Sequence, residues 1–187
     1  MLGLQGDFAA HRRKLSELGV EAEVIRWPRD LEPLDGLIMP GGESTTLIKL
    51  IDEYGFADPL RQMAERGGTI YGTCAGLILL ASEVHSPEQP SLGLIDIVAQ
   101  RNAFGRQVES FVGQGRLTSG EPLEMVFIRA PRILRAGPGV EVLASYDGEP
   151  VLVSQGHVMV GSFHPELSEG TTVHHLFLEK AGVAVTV

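Results

Sequence analysis

The chain has 187 residues, with 15 Lys and Arg against 24 Asp and Glu for a formal charge of −9. That acidity repels phosphate backbones and anionic membrane surfaces, and no apolar run approaches the roughly 20 residues that span a bilayer, so neither nucleic acid nor membrane is an expected partner. A single cysteine allows no internal disulfide, and the start Met1-Leu2-Gly3-Leu4-Gln5-Gly6-Asp7 lacks the basic and apolar regions of a signal peptide, which points to a cytosolic protein.

Through the first half, short apolar runs bounded by Gly or Pro alternate with helix-like stretches, the pattern of a mostly parallel sheet flanked by helices in a three-layer α/β sandwich. Strands are expected at Leu2 to Leu4, Glu21 to Ile25, Gly36 to Met39 and Thr69 to Gly72, and helices at Phe8 to Leu18, Thr45 to Tyr54, Pro59 to Arg66 and Ala75 to Ala81. The first strand is short against the usual 5–6 residues, so the natural start is expected a few residues upstream of Met1. In such sheets ligands bind beyond the carboxyl ends of the strands, where Gln5-Gly6, Pro40-Gly41-Gly42 and Thr73-Cys74 would converge.

The second half is strand-rich: Ser110 to Leu117, Leu123 to Ile128, Val140 to Ser145, Pro150 to Gln155 and Val158 to Phe163, punctuated by turns such as Asp147-Gly148 and Gln155-Gly156. Several of these are expected to pair antiparallel. A last helix is expected from Thr172 to about Ala181. No repeat or linker divides the chain, so 1–187 reads as one domain.

Thr69-Ile70-Tyr71-Gly72-Thr73-Cys74-Ala75-Gly76 followed by Leu77-Ile78-Leu79-Leu80 reads as a β-branched strand, a glycine-flanked turn and an apolar helix. A lone cysteine is usually a small buried hydrophobe. The Gly-x-Cys-x-Gly frame argues otherwise, because small residues let strand and helix approach while the turn lifts the thiol to a helix N-terminus that favours thiolate.

Near the other end, a strand runs into His164-Pro165-Glu166. Pro165 biases His164 towards extended backbone, which would put Glu166 on the same side as His164, one ring nitrogen on the carboxylate and the other free for the thiol. That is the logic of a nucleophile, base and orienter. A metal site built from His164, Glu166, His174 and His175 matches no zinc spacing, and no cofactor is expected.

Acyl transfer needs donors for a developing oxyanion. The amide of Ala75 and the Pro40-Gly41-Gly42-Glu43-Ser44-Thr45-Thr46 segment offer them, with Ser44 or Thr45 expected to cap the next helix. An amino-acid substrate would also need a cation for its α-carboxylate, and Arg101, Arg106 and Arg129 are equal candidates on spacing alone.

Together these stretches resemble class I glutamine amidotransferases. With Leu2-Gly3-Leu4-Gln5-Gly6, Arg101-Asn102-Ala103-Phe104-Gly105-Arg106-Gln107, Phe127-Ile128-Arg129-Ala130-Pro131 and Ser162-Phe163-His164-Pro165-Glu166-Leu167, they are most similar to the branch formed by the glutaminase subunits of pyridoxal 5′-phosphate synthases. The resemblance implies a flavodoxin-like class I glutamine amidotransferase fold and a Cys74, His164, Glu166 triad. It also implies oxyanion donors at Gly42 and Ala75, and L-glutamine contacts from Gly42, Glu43, Ser44, Arg101, Ile128 and Arg129. It further implies a (β/α)8-barrel synthase subunit as partner, receiving the ammonia for vitamin B6 synthesis, with Gln5 in a partner-linked turn. The alternatives are an amidotransferase serving another synthase, a γ-glutamyl peptide hydrolase, and a catalytically silent binding module of the same fold.

Overall fold

The structure is a computed structural model that describes residues 1–101 and 110–185. Helix α1 (Phe8–Glu17) is followed by strand β1 (Gly36–Met39), helices α2 (Ser44–Glu53) and α3 (Ala57–Glu65), strand β2 (Thr69–Thr73) and the short helix α4 (Ala75–Leu80). Strands β3 (Ala81–His85), β4 (Ile95–Gln100), β5 (Phe111–Arg116), β6 (Pro122–Phe127) and β7 (Arg132–Ala136) come next. The chain continues through β8 (Glu141–Tyr146), β9 (Glu149–Gln155), β10 (Val158–Gly161) and helix α5 (Thr172–Lys180).

The central sheet runs β1-β2-β10-β9-β8. β2 pairs parallel with β1 and β10, and β9 pairs antiparallel with β10 and β8. β2 is buried along its whole length, as expected of a strand covered on both faces. The pleat divides its neighbours between two cores. Leu37, Met39, Ile70, Val158 and Val160 face the core that holds Leu47 and Ile51 of α2, Met63 of α3 and Leu77 of α4. Ile38, Tyr71 and Met159 face the one that holds Leu15 of α1 and Val173 and Phe177 of α5. This is the three-layer arrangement, and each fully buried aliphatic side chain contributes about 1.5–3 kcal/mol to it.

A second sheet, β3-β4-β7, and the β5-β6 hairpin lie outside the central one. The sequence pattern did not separate β3, β4 and β7. β3 starts at Ala81, where α4 stops, and no Gly or Pro marks the change. The expected strands at Leu2 to Leu4 and Glu21 to Ile25 reduce to a single parallel bridge between Leu2 and Ile25, with Leu2 N donating to the Ile38 carbonyl at 2.9 Å. These short segments flank β1 at the sheet edge without the repeated pairing that makes a strand. The expected strand at Val158 to Phe163 ends at Gly161. Asp147 (φ 52°) and Gly148 (φ 80°) make the β8-β9 turn, with the two positive φ values a two-residue hairpin demands.

Candidate active site

β2 ends at Thr73, and Cys74 follows with φ 50° and ψ −100°, a conformation that non-glycine residues adopt only when the surroundings hold them there. Here the surroundings do. Cys74 N donates to the Gly161 carbonyl at 2.8 Å, and α4 begins at Ala75. The flanking glycines supply the close approach: a Cβ on Gly72 would stand 2.6 Å from the backbone carbon of Gly76, and one on Gly76 would stand 2.5 Å from the Met39 carbonyl oxygen. As the first helical residue, Ala75 presents an amide with no intrahelical acceptor.

His164 follows β10 and is anchored by its amide, which donates to the Val126 carbonyl at 2.8 Å. Its Nδ1 lies 2.7 Å from Glu166 Oε1, and its ring lines the same cavity as the Cys74 side chain. The link to Glu166 is made differently from the extended geometry expected. Pro165 opens a single 3-10 turn over Pro165–Leu167, and His164 sits before it at φ −106°, ψ 86°. The turn, started by the fixed φ of proline, swings the carboxylate back under the imidazole.

Burial by itself lowers the pKa of His164. The hydrogen bonds and charges of Cys74 and Glu166 outweigh burial and raise it to about 10. Burial likewise raises that of Glu166, but the hydrogen bond from His164, with His11 and His164 facing the carboxylate, wins and lowers it. Glu166 thus braces a protonated His164 beside Cys74.

In front of Cys74 is a cavity of about 230 Å3 lined by Gly42, Glu43, Ser44, Ile78, Arg101, Ile128, Arg129, Pro131 and His164. It falls below the about 300–1,000 Å3 of drug-sized pockets and suits a ligand of amino-acid size. All the residues assigned by resemblance to glutamine contacts meet here. Arg101 and Arg129 both reach the cavity, whereas Arg106, with the rest of 102–109, lies outside the described residues. Arg101 is the less exposed of the two: its Nη2 lies 3.6 Å from Glu43 Oε1, and Nη1 has no hydrogen-bond partner among the described residues. Arg129 is exposed and sits at φ 43°.

The cap of α2 is neither Ser44 nor Thr45. Glu43 is the N-cap, accepting from Thr45 N at 3.2 Å and Thr46 N at 2.8 Å, and these bonds, led by the Thr45 hydroxyl, lower its pKa to about 2. A carboxylate reaches two amides that a serine hydroxyl could reach only singly. Ser44 is left free to donate its hydroxyl to Gln89 Oε1 at 3.0 Å. Gln5 Oε1 accepts from Glu43 N at 3.0 Å and lies against Gly42, so the first turn of the chain touches the glycine loop.

Sequence reading missed Ile78, Pro131 and Gln89, and passed over a buried pair behind Glu166. His11 and His174 are both fully buried, with His11 Nδ1 2.9 Å from His174 Nε2. The available signal was spacing: His11, Leu15 and Leu18 recur at i, i+4 and i+7, the core face of α1. His175 lies apart, 3.7 Å from Glu179. Among the described residues no helix is long and apolar enough to cross a membrane.

The profile of the SNO glutamine amidotransferase family matches residues 1–183. A protein of Thermus thermophilus named pyridoxal 5′-phosphate synthase subunit PdxT is 52% identical over 98% of this chain and 97% of its own. Proteins of the same name from Koribacter versatilis and Deinococcus radiodurans are 50% and 48% identical over 96% and 97% of this chain and 93% and 96% of their own. A crystal structure of a glutamine amidotransferase superposes with a TM-score of 0.93 at 52% identity over 97% of each chain. The structure of PurLQS from Thermotoga maritima shares the fold, with a TM-score of 0.69 at 18% identity over 96% of this chain and 95% of its own.

Proposed function

The chain belongs to the SNO glutamine amidotransferase family, and from that premise we propose that it is the glutaminase subunit of a pyridoxal 5′-phosphate synthase. It hydrolyses L-glutamine to L-glutamate and ammonia and passes the ammonia to a (β/α)8-barrel synthase subunit. The observation that carries the reading is the juxtaposition of Cys74 with the His164 ring, itself paired with Glu166, on a cavity of amino-acid size.

The glutamine carboxamide carbon sits over Cys74, with its α-carboxylate towards Arg101 and Arg129. The Cys74 thiolate attacks that carbon, and the carbonyl oxygen takes the negative charge against the amides of Gly42 and Ala75. His164 gives its proton to the departing nitrogen, which leaves as ammonia, and a thioester remains on Cys74. A water then loses a proton to His164 and attacks the thioester carbon. The C–S bond breaks, glutamate departs and the thiolate is restored. Glu166 keeps one imidazole tautomer throughout. Gly42, Glu43, Ser44 and Ile128 shape the pocket, and Gln5, against the glycine loop, ties its shape to the partner's docking.

The whole of 1–187 acts as one glutaminase domain, in the cytoplasm, where a free thiol stays reduced. The test is glutamate release from glutamine by the chain alone and with the barrel synthase subunit, with Cys74→Ala as control. Release that is stimulated by the partner and abolished in the variant is the expected result. No release in any mixture, with Cys74 unreactive towards a glutamine-analogue electrophile, would make this a binding module instead.

A further inference from the structure

His164 occupies only one oxygen of Glu166. The other, Oε2, is buried and has no aligned hydrogen bond among the described residues. An isolated buried carboxylate oxygen is costly, and such groups are normally satisfied. What faces it is His11 Nε2 at 3.3 Å, projecting from α1, with the Thr73 hydroxyl 3.5 Å from the same nitrogen. Behind it, His11 Nδ1 meets His174 Nε2 at 2.9 Å.

The tautomers of this pair follow from its ends. A lone pair on His11 Nε2 would point at a carboxylate, so that nitrogen carries the proton, and Nδ1 must accept. His174 Nε2 then donates to it, and His174 Nδ1, which has no hydrogen-bond partner among the described residues, is a bare acceptor rather than an orphaned N–H. The opposite assignment buries an unsatisfied donor and repels Glu166.

We propose that His11, held by His174, is a positioning residue for the triad: its neutral Nε2–H donates to Glu166 Oε2 and fixes the carboxylate that orients His164. This rests on the glutaminase reading above. The relay runs His174, His11, Glu166, His164, Cys74, and binds helices α1 and α5 to the reacting thiol. At 3.3 Å the contact is loose, and hydrogen bonds in active sites tighten when substrate is bound. Burial, the largest influence on each, lowers the pKa of both histidines to about 3, in keeping with a neutral donor.

The charged and titratable groups facing His11 are Glu166 and His164 from beyond β10, His174 from α5 and the chain's amino terminus, while Lys14 faces His174. Glu166 in addition faces Tyr71 of β2. Without the His11 donor, Glu166 becomes more basic. The acid limb of kcat/KM should then move to higher pH.

The experiment compares wild type, His11→Leu and His11→Gln as full chains saturated with the synthase subunit, with thermal unfolding followed in parallel. Gln places an amide N–H near the position of Nε2. For His11→Leu, kcat should fall about ten-fold or more, with KM for glutamine little changed and the acid limb raised. His11→Gln should recover most of both. A Leu variant with wild-type kcat and acid limb, or a Gln variant as slow as Leu at equal folding, overturns the proposal. Nitrogen-15 NMR of the wild-type chain gives a readout independent of turnover: His11 should be neutral with its proton on Nε2, and a proton on Nδ1 or on both nitrogens overturns the assignment. Wild type that releases no glutamate while His11 shows the Nε2–H form would discard the glutaminase reading and keep the contact.

Discussion

Gly41 and His164 touch so closely that a methyl group on Gly41 would stand 2.6 Å from Cε1 of the imidazole and 3.3 Å from Cβ of Cys74. The loop after β1 thus forms one wall of the slot in which the His164 ring and Cys74 meet. Gly41→Ala should displace the ring and reduce glutamate release about ten-fold or more, because small misplacements of catalytic groups are costly. Thermal unfolding should barely move. Full activity in Gly41→Ala would mean that the ring has room to retreat without losing Cys74.

Gly72 and Gly76 serve the fold of the elbow. Gly72→Ala meets backbone atoms of Gly76, and Gly76→Ala meets the Met39 carbonyl, so neither clash is relieved by a side-chain rotation. Overpacking of this kind costs about 1–3 kcal/mol, which urea unfolding would read as a lower midpoint for each variant. An unchanged midpoint would show that β2 and α4 can separate freely.

Arg101 is half-buried beside Glu43, lines the cavity, and has one guanidinium nitrogen unpartnered among the described residues. Arg101→Gln should raise KM for glutamine roughly 10- to 100-fold while leaving kcat nearly constant, the pattern of an interaction made equally in ground and transition states. Arg129→Gln, from an exposed position, should have the smaller effect. Steady-state kinetics on both variants decides which arginine holds the α-carboxylate.

The histidines pull stability in opposite directions with pH. His164, raised from 6.5 to about 10 by Cys74 and Glu166 against the effect of burial, gives stabilisation that is complete below about pH 6.5 and fades as pH rises through about 10. The gap in unfolding free energy between wild type and His164→Gln should close over that range.

His11 and His174, lowered from 6.5 to about 3 chiefly by burial, act on the acid side. The unfolded chain takes up protons below about pH 6.5 that the folded one refuses. Stability should therefore fall between about pH 6.5 and 3, by up to about 1.4 kcal/mol per pH unit for each histidine. Glu166, with its pKa lowered, adds to the same loss. Urea unfolding at about pH 7, 6 and 5 should give a shallower slope for His174→Gln than for wild type; equal slopes would mean that His174 titrates normally.

The strand-turn-helix around Cys74 was legible because its cause is local: β-branched residues before the turn, glycines where backbones touch, an unbroken apolar run after it. The pairing of His164 with Glu166 was legible in His-Pro-Glu, though the mechanics differ, since Pro165 starts a 3-10 turn where extended backbone was expected. β3, β4 and β7 escaped because no glycine or proline sets β3 off from α4, and because the pairing of the three strands supplies what their residues do not announce. The helix cap at Glu43 escaped because hydroxyl residues stood beside it and are the usual caps.

By itself, the sequence determined the family to which the chain belongs and the strand-turn-helix around Cys74, since turns and the order of strands and helices depend on neighbours a few positions apart. Only the tertiary structure decided that Arg101 rather than Arg129 is the less exposed cation, that Gln5 touches the glycine loop, and that His11 and His174 stand behind Glu166. Those relationships join α1, β2, β10 and α5 across up to 163 residues of chain, and no local pattern encodes a distance that only packing closes.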